Sequence, residues 1–188
     1  MPPSDLHRHL GDLLASKEGA DVTFHVAGET FQAHRSVLAS RSPVFRAELF
    51  SPMTEGGAAA VVEIDDMDGQ AFRALLEFVY TDALPEDMTP EEEAVMCQHL
   101  LVAADRYGME RLKLVCEDRL CRHVTVGSAA TILALAEQHR CHGLKDACFR
   151  FLEPPAVLNA VAAAEGFEHL ARSCPSVVKD LIFKITGC

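Results

Sequence analysis

The stretch Phe31-Gln32-Ala33-His34-Arg35-Ser36-Val37-Leu38-Ala39-Ser40-Arg41-Ser42-Pro43-Val44-Phe45 changes its local structure three times within a short span. Its first residues finish a strand. Thr30 to Ala33 follow a turn at Gly28-Glu29, and before that turn Val22, Phe24 and Val26 alternate with Thr23 and His25. Two short antiparallel strands are predicted. Arg35 to Ser40 reads as a short helix. A second helix opens at Pro43, because the fixed φ of proline suits the first helical position and its missing N–H would be unpaired there anyway. Ser42 is its N-cap, Val44, Phe45, Leu49 and Phe50 are its apolar residues, and Pro52 stops it.

Upstream, Leu6, Leu10, Leu13 and Leu14 fall on one stripe of a short amphipathic helix, with His7, Arg8, Asp12 and Lys17 elsewhere and Gly19 as the break. Downstream, Gly56-Gly57-Ala58-Ala59-Ala60 reads as a turn into a third strand, Val61-Val62-Glu63-Ile64. Asp68 caps a strongly patterned helix with Phe72, Leu75, Leu76, Val79 and Tyr80 as its core residues. Thr89-Pro90-Glu91-Glu92 starts another: threonine as N-cap, proline at the first helical position, and a glutamate placed to return a bond to the cap. It should run to about Tyr107, with Gly108 as terminator and a further helix from Met109 to His123. Beyond Val124 only helical pieces follow, Ser128 to His139, Leu144 to Glu153, Pro155 to Ala164, Gly166 to Ser173 and Pro175 to Thr186, joined by connections short enough for antiparallel hairpins. The fold class is α+β, a mixed unit over residues 1–123 followed by an all-helical unit over 124–188.

Composition narrows the function. The 188 residues include 17 basic and 28 acidic side chains, a net charge of -11. No block of Lys or Arg stands out, so nucleic acid is not expected as a direct partner, since phosphate binding needs clustered cations. No apolar run reaches the roughly 20 residues that span a bilayer. Met1-Pro2-Pro3-Ser4-Asp5 shows no secretory pattern. Seven cysteines, an odd number scattered through helical sequence, suit reduced thiols and an intracellular protein, nuclear, cytoplasmic or both.

Sites for chemistry are weak. Cys116, Cys121 and His123, and likewise His139, Cys141, His142 and Cys148, lack the paired ligand spacing of structural zinc sites, so the thiols are expected to pack helices. Asp65-Asp66-Met67-Asp68-Gly69 lacks the alternating ligands and closing glutamate of a calcium loop. No nucleophile elbow, zinc-protease helix, phosphate loop or dinucleotide fingerprint occurs. Neither an enzyme nor a cofactor nor a small-molecule substrate is expected, and His34 reads as a core or boundary residue rather than a base.

Three strings carry a resemblance. Asp21-Val22-Thr23-Phe24, the stretch from Phe31 to Phe45 quoted above, and Phe78-Val79-Tyr80-Thr81-Asp82 resemble the signature of BTB/POZ domains. Ala103-Ala104-Asp105-Arg106-Tyr107, with Glu110-Arg111-Leu112-Lys113 and Cys116-Glu117, resembles more narrowly the MATH-BTB group expanded in grasses. The resemblance implies a BTB/POZ fold that homodimerises, followed by helices similar to a BACK or "3-box" extension. It also implies a role for the BTB unit in binding cullin-3, while a MATH domain ahead of it captures substrate. Here the sequence begins at the BTB boundary, so the expectation is an excised piece or a naturally short member that holds the ligase end without the substrate end.

Two surfaces follow. On composition, the stripe Leu6, Leu10 and Leu13 can pack against its own domain or against a second copy. The resemblance, in which leucines at these positions line a dimer interface with the position of Val37, implies the second. Met53-Thr54-Glu55 resembles the hydrophobe-x-Glu motif of cullin-binding BTB proteins, with Met53 as an adaptable apolar contact and Glu55 as an acceptor. Phe50 joins these as a cullin contact. The function implied is that of a dimeric adaptor for a cullin-3 RING E3 ubiquitin ligase, the helices after Val124 widening the contact. The alternative is a BTB scaffold that pairs with full-length MATH-BTB relatives without recruiting substrate.

Overall fold

The computed structural model of the protein describes residues 4–50, 60–85 and 87–186. Pro52, Met53, Glu55, the run 56–59 and Cys188 lie outside the described residues. In chain order come α1 (Leu6–Ser16), β1 (Val22–Val26), β2 (Glu29–Ala33), α2 (Arg35–Arg41), α3 (Pro43–Leu49), β3 (Ala60–Ile64) and α4 (Gly69–Thr81). Then follow α5 (Pro90–Arg106), α6 (Glu110–Arg122), α7 (Ala129–Gln138), α8 (His142–Leu152), α9 (Pro155–Ala162), α10 (Glu165–Ser173) and α11 (Pro175–Thr186). The architecture is α+β, as the sequence predicts. Two compact units divide it, Met1–Met88 with Ala103–Leu112, and Thr89–Val102 with Lys113–Cys188. Among the described residues, no helix is long and apolar enough to cross a membrane.

In the first unit, β1 is the centre of a sheet ordered β2-β1-β3. β2 pairs antiparallel with Val26 opposite Glu29, so the turn is Ala27-Gly28, one residue earlier than the sequence suggested. Both turn residues have positive φ, 49° and 82°, the two-residue hairpin whose twist matches that of its strands. An alanine in the first left-handed position conceals the signal that Asn or Asp would have given there. β3 lies parallel to β1, Phe24 opposite Val62, which requires a crossover, and α2 and α3 lie along it. Val22, Phe24 and Val26 all face inward.

Aromatic rings link the layers. Phe24 lies 5.8 Å from Phe45 and 5.1 Å from Phe72, Phe31 meets Phe72 edge-on at 5.2 Å, and Phe45 stacks on Tyr107 at 4.2 Å. Such pairs add about 0.5–1.5 kcal/mol each beyond their burial. Burial pushes the Tyr107 hydroxyl up to about 12, and Phe72, Leu75, Leu76, Val79 and Tyr80 are all buried on α4 as predicted. Asp68 caps that helix, accepting from the amides of Gln70 at 2.9 Å and Ala71 at 3.1 Å.

Ser42 joins two distant segments. Its hydroxyl oxygen accepts from the Phe45 amide at 3.1 Å, capping α3, and donates to the Tyr107 carbonyl at 2.6 Å. Gly108 ends α5 with φ 64°. Its amide and that of Met109 donate to the Asp105 and Ala104 carbonyls, the paired bonds of a glycine-terminated helix. A Cβ on Gly108 would meet the Pro43 Cγ at 2.9 Å, so conformation and space both call for glycine.

His34 is buried, as expected of a core residue, and its partners fix its hydrogens. Its Nε2 lies 2.8 Å from the Glu18 carbonyl, which only accepts, so Nε2 donates. In the neutral ring Nδ1 then accepts the Tyr80 hydroxyl at 2.8 Å, while the same phenolic oxygen accepts the His34 amide at 2.8 Å. Burial raises the Tyr80 pKa, the His34 amide bond opposing it. Asp82 ends α4 in the left-handed region, φ 60°, and accepts from Arg41 and Arg111. Against the upward push of partial burial, those two guanidinium groups hold its carboxyl below the ordinary range.

The second unit is helical. Thr89 and Glu92 form the reciprocal box, the Glu92 amide donating to Thr89 Oγ1 at 3.3 Å and the Thr89 amide to Glu92 Oε2 at 2.9 Å. Glu93 accepts from His123 at 2.6 Å and from Arg119. The His123 bond lowers its pKa, and Arg119 adds to that against burial. Ala129, Ala130, Ile132, Leu133, Ala134 and Ala136 of α7 are buried, and α7 packs on α8 and α10. Lys145 on α8 donates to Glu137 on α7 at 2.7 Å and to Asp180 on α11 at 2.9 Å. Partial burial works against its charge, and the two carboxylates outweigh it, leaving the pKa raised. Cys97, Cys116, Cys141, Cys148 and Cys174 are buried thiols; burial pushes Cys148 up to about 12.

Two substitutions test the joints of the first unit. Ser42→Ala strips the cap from α3 and the donor from the Tyr107 carbonyl, and should lower stability by roughly 2 kcal/mol in urea unfolding. Tyr80→Phe leaves the His34 amide without its acceptor and should cost about 1–3 kcal/mol, read as a lower urea midpoint with unchanged slope.

Candidate interaction surfaces

α1 buries none of its residues within the single chain. At about 100° per residue, Leu6, Leu10 and Leu13 share an arc of roughly 60°, while Leu14, Gly11 and Ala15 turn progressively away from it. The second side faces the body of the unit. A Cβ on Gly11 would meet Thr81 Cγ2 of α4 at 3.2 Å, so glycine lets the two helices approach closely. Leu14 and Ala15 line a cavity of about 300 Å³ together with Phe31, Arg73 and Leu76. The four-leucine stripe read from the sequence thus divides: Leu14 serves its own domain, and Leu6, at 62% exposure, does not. Leu10 and Leu13 are half-buried.

Val37 is half-buried on α2, and α2, like α1, lies against α4. The ion pair between Arg41 and Asp82 ties the end of α2 to the end of α4. At the other end of α2 the cap comes from a distance. His34 offers no side-chain cap, and the Arg35 amide donates instead to Asp21 Oδ1 at 2.7 Å, a carboxylate at the positive end of the helix.

Phe50 follows the last residue of α3 and is 55% exposed. Its amide donates to the Arg46 carbonyl at 3.2 Å. The Arg35 guanidinium carbon sits 4.7 Å from the centre of its ring, and Arg35 Nη2 donates to the carbonyl of Leu49. Arg35 Nε is buried and finds no acceptor among the described residues. Nothing in the periodicity of the sequence points to this contact; the only local hint is an arginine at a strand-to-helix junction. Met53 and Glu55, the other two residues of the expected cullin contact, lie outside the described residues. Among the described residues, no three His, Cys, Asp or Glu side chains are arranged to hold a metal ion.

Both surfaces therefore offer apolar side chains on rigid mounts, the kind of feature that a protein partner covers. Comparison with family models matches residues 10–124 to the BTB/POZ domain and residues 128–182 to the BPM/SPOP, BACK domain. Among curated proteins, the BTB/POZ and MATH domain-containing protein 3 of Arabidopsis thaliana is 45% identical over 188 residues, covering 97% of this chain and 46% of its own length. Protein 4 of the same name and organism is 39% identical over 198 residues, covering 100% of this chain and 42% of its own length. The TD and POZ domain-containing protein 2 of Mus musculus is 36% identical over 171 residues, with coverages of 91% and 45%. The chain spans about half the length of the curated relatives it matches. A central strand with one antiparallel and one parallel neighbour, a helical second unit, and these matches in the same order lead to one conclusion: the chain belongs to the BTB/POZ family, carries a BACK domain, and is related along its length to the BTB/POZ and MATH domain-containing proteins.

Proposed function

We propose that the chain is a dimeric protein-interaction module that acts inside the cell, in nucleus, cytoplasm or both, as an adaptor for a cullin-3 RING E3 ubiquitin ligase. The observation that carries this is the leucine stripe of α1, with Leu6 exposed and Leu10 and Leu13 only half-buried by their own chain. Burying a leucine is worth about 1.5–3 kcal/mol, and a helix of 11 residues has little stability in water alone. A two-fold pairing sets stripe against stripe, with Leu6, Leu10, Leu13 and Val37 in the interface. The cullin meets Phe50, Met53 and Glu55, the ring supplying buried area, the methionine an adaptable contact and the carboxylate an acceptor for donors on the cullin. Ubiquitin transfer belongs to the RING partner and the charged conjugating enzyme. Family membership and the exposed Phe50 ring at the end of α3 support this assignment. A BTB scaffold that pairs with full-length relatives would draw on the same α1 stripe and differ in leaving the cullin unbound.

Light scattering should report a dimer, and replacing Leu6, Leu10 and Leu13 together by Asp should leave a folded monomer. A dimer that survives the triple change refutes the assigned interface. Met53→Ala combined with Glu55→Ala should weaken binding to the N-terminal region of cullin-3 by about tenfold or more, with the dimer intact. A wild-type dimer that shows no such binding at micromolar concentration overturns the adaptor and favours the scaffold.

A further inference from the structure

The Arg35 side chain does two things with one planar group. One arm of its fork donates to the carbonyl of Leu49, the last residue of α3, where a helix leaves its carbonyls without partners. Its central carbon lies over the Phe50 ring, 4.7 Å from the ring centre, the electrostatically favoured side for a cation. The backbone is anchored as well, because the Arg35 amide is held by Asp21 at 2.7 Å. The arrangement carries a penalty. Nε is buried with no acceptor among the described residues, and a buried donor without a partner is unfavourable. A lysine would keep the charge and avoid that orphan, but it has neither a fork nor a face. What only the guanidinium supplies is a grip on the two consecutive residues that set the direction of the exposed ring.

We propose that Arg35 is a positioning residue that holds Phe50 in the attitude in which it meets its partner. This rests on the assignment of Phe50 to the cullin contact. A ring fixed before binding loses little rotamer freedom when it is covered, so its burial is expressed more fully in affinity. Arg35 itself touches no partner in this scheme; it acts through Phe50.

The sequence contains no tryptophan, so a Phe50→Trp variant carries a single indole at the position in question. Adding Arg35→Lys should lower the fluorescence anisotropy of that indole in the free protein, with the oligomeric state unchanged. In the native-Phe50 protein, Arg35→Lys should weaken binding to the N-terminal region of cullin-3 by about fivefold. In a Phe50→Ala background it should have no further effect, because the two residues act as one unit. Arg35→Gln, which keeps a donor for the Leu49 carbonyl but loses the cation over the ring, should change anisotropy and binding in the same direction. Unchanged anisotropy in both variants overturns the proposal. So does an equal loss of binding in the Phe50 and Ala backgrounds together with a lower thermal midpoint, which is what a general loosening of the fold would give. If anisotropy falls while the wild-type dimer fails to bind cullin-3, the grip on the ring stands and the adaptor assignment is what fails.

Discussion

The geometry of the first unit depends on one hydroxyl. Ser42 is buried, and its oxygen holds the start of α3 through the Phe45 amide while its hydrogen holds the carbonyl of Tyr107. The two bonds lie 3 and 65 residues apart in sequence, so a local cap is also a long-range tie. Around it the same segments meet twice more, Pro43 against Gly108 and the Phe45 ring on the Tyr107 ring. With its first turn fixed in this way, α3 has a set direction, and Phe50 at its far end inherits that direction.

That inheritance gives the surfaces their chemical character. Among the described residues, both present apolar atoms, Leu6 and the Phe50 ring, from supports that are themselves well tied. α1 rests on α4 through the close approach at Gly11 and keeps its leucine stripe on another side. Phe50 rests on a guanidinium whose root is bonded to Asp21.

Much of this was legible because the signals are local. Ser42-Pro43, Asp68 and Thr89-Pro90-Glu91-Glu92 each announce a helix start through a side chain that bonds within its own first turn. The core side of α4 follows from its 3.6-residue period. What escaped was non-local or disguised. The partners of His34 come from Glu18 and Tyr80, and contacts across such separations leave no periodic trace. The hairpin turn was misplaced because alanine occupies a left-handed position. Leu6 could not be told from Leu10 and Leu13 by spacing, since only tertiary packing leaves Leu6 exposed and the other two half-buried. Leu6 and Phe50, both exposed, are proposed as contacts on family resemblance, whereas the arginine under the ring had no signature at all. Met53 and Glu55, outside the described residues, still rest on resemblance alone.

The order of the sheet has a consequence for how the chain assembles. β1 finds its first neighbour close by, Val26 beside Glu29, but its second only after the crossover, Val26 beside Ile64. A hairpin closes in microseconds, whereas the parallel partner must wait for the longer loop to come together, at a closure entropy that grows with loop length. In the interval β1 keeps one edge open, and an open edge is a template for any strand that arrives, including one from another molecule. The length of the crossover between β1 and β3 therefore sets how long the nascent chain is prone to pair with the wrong strand.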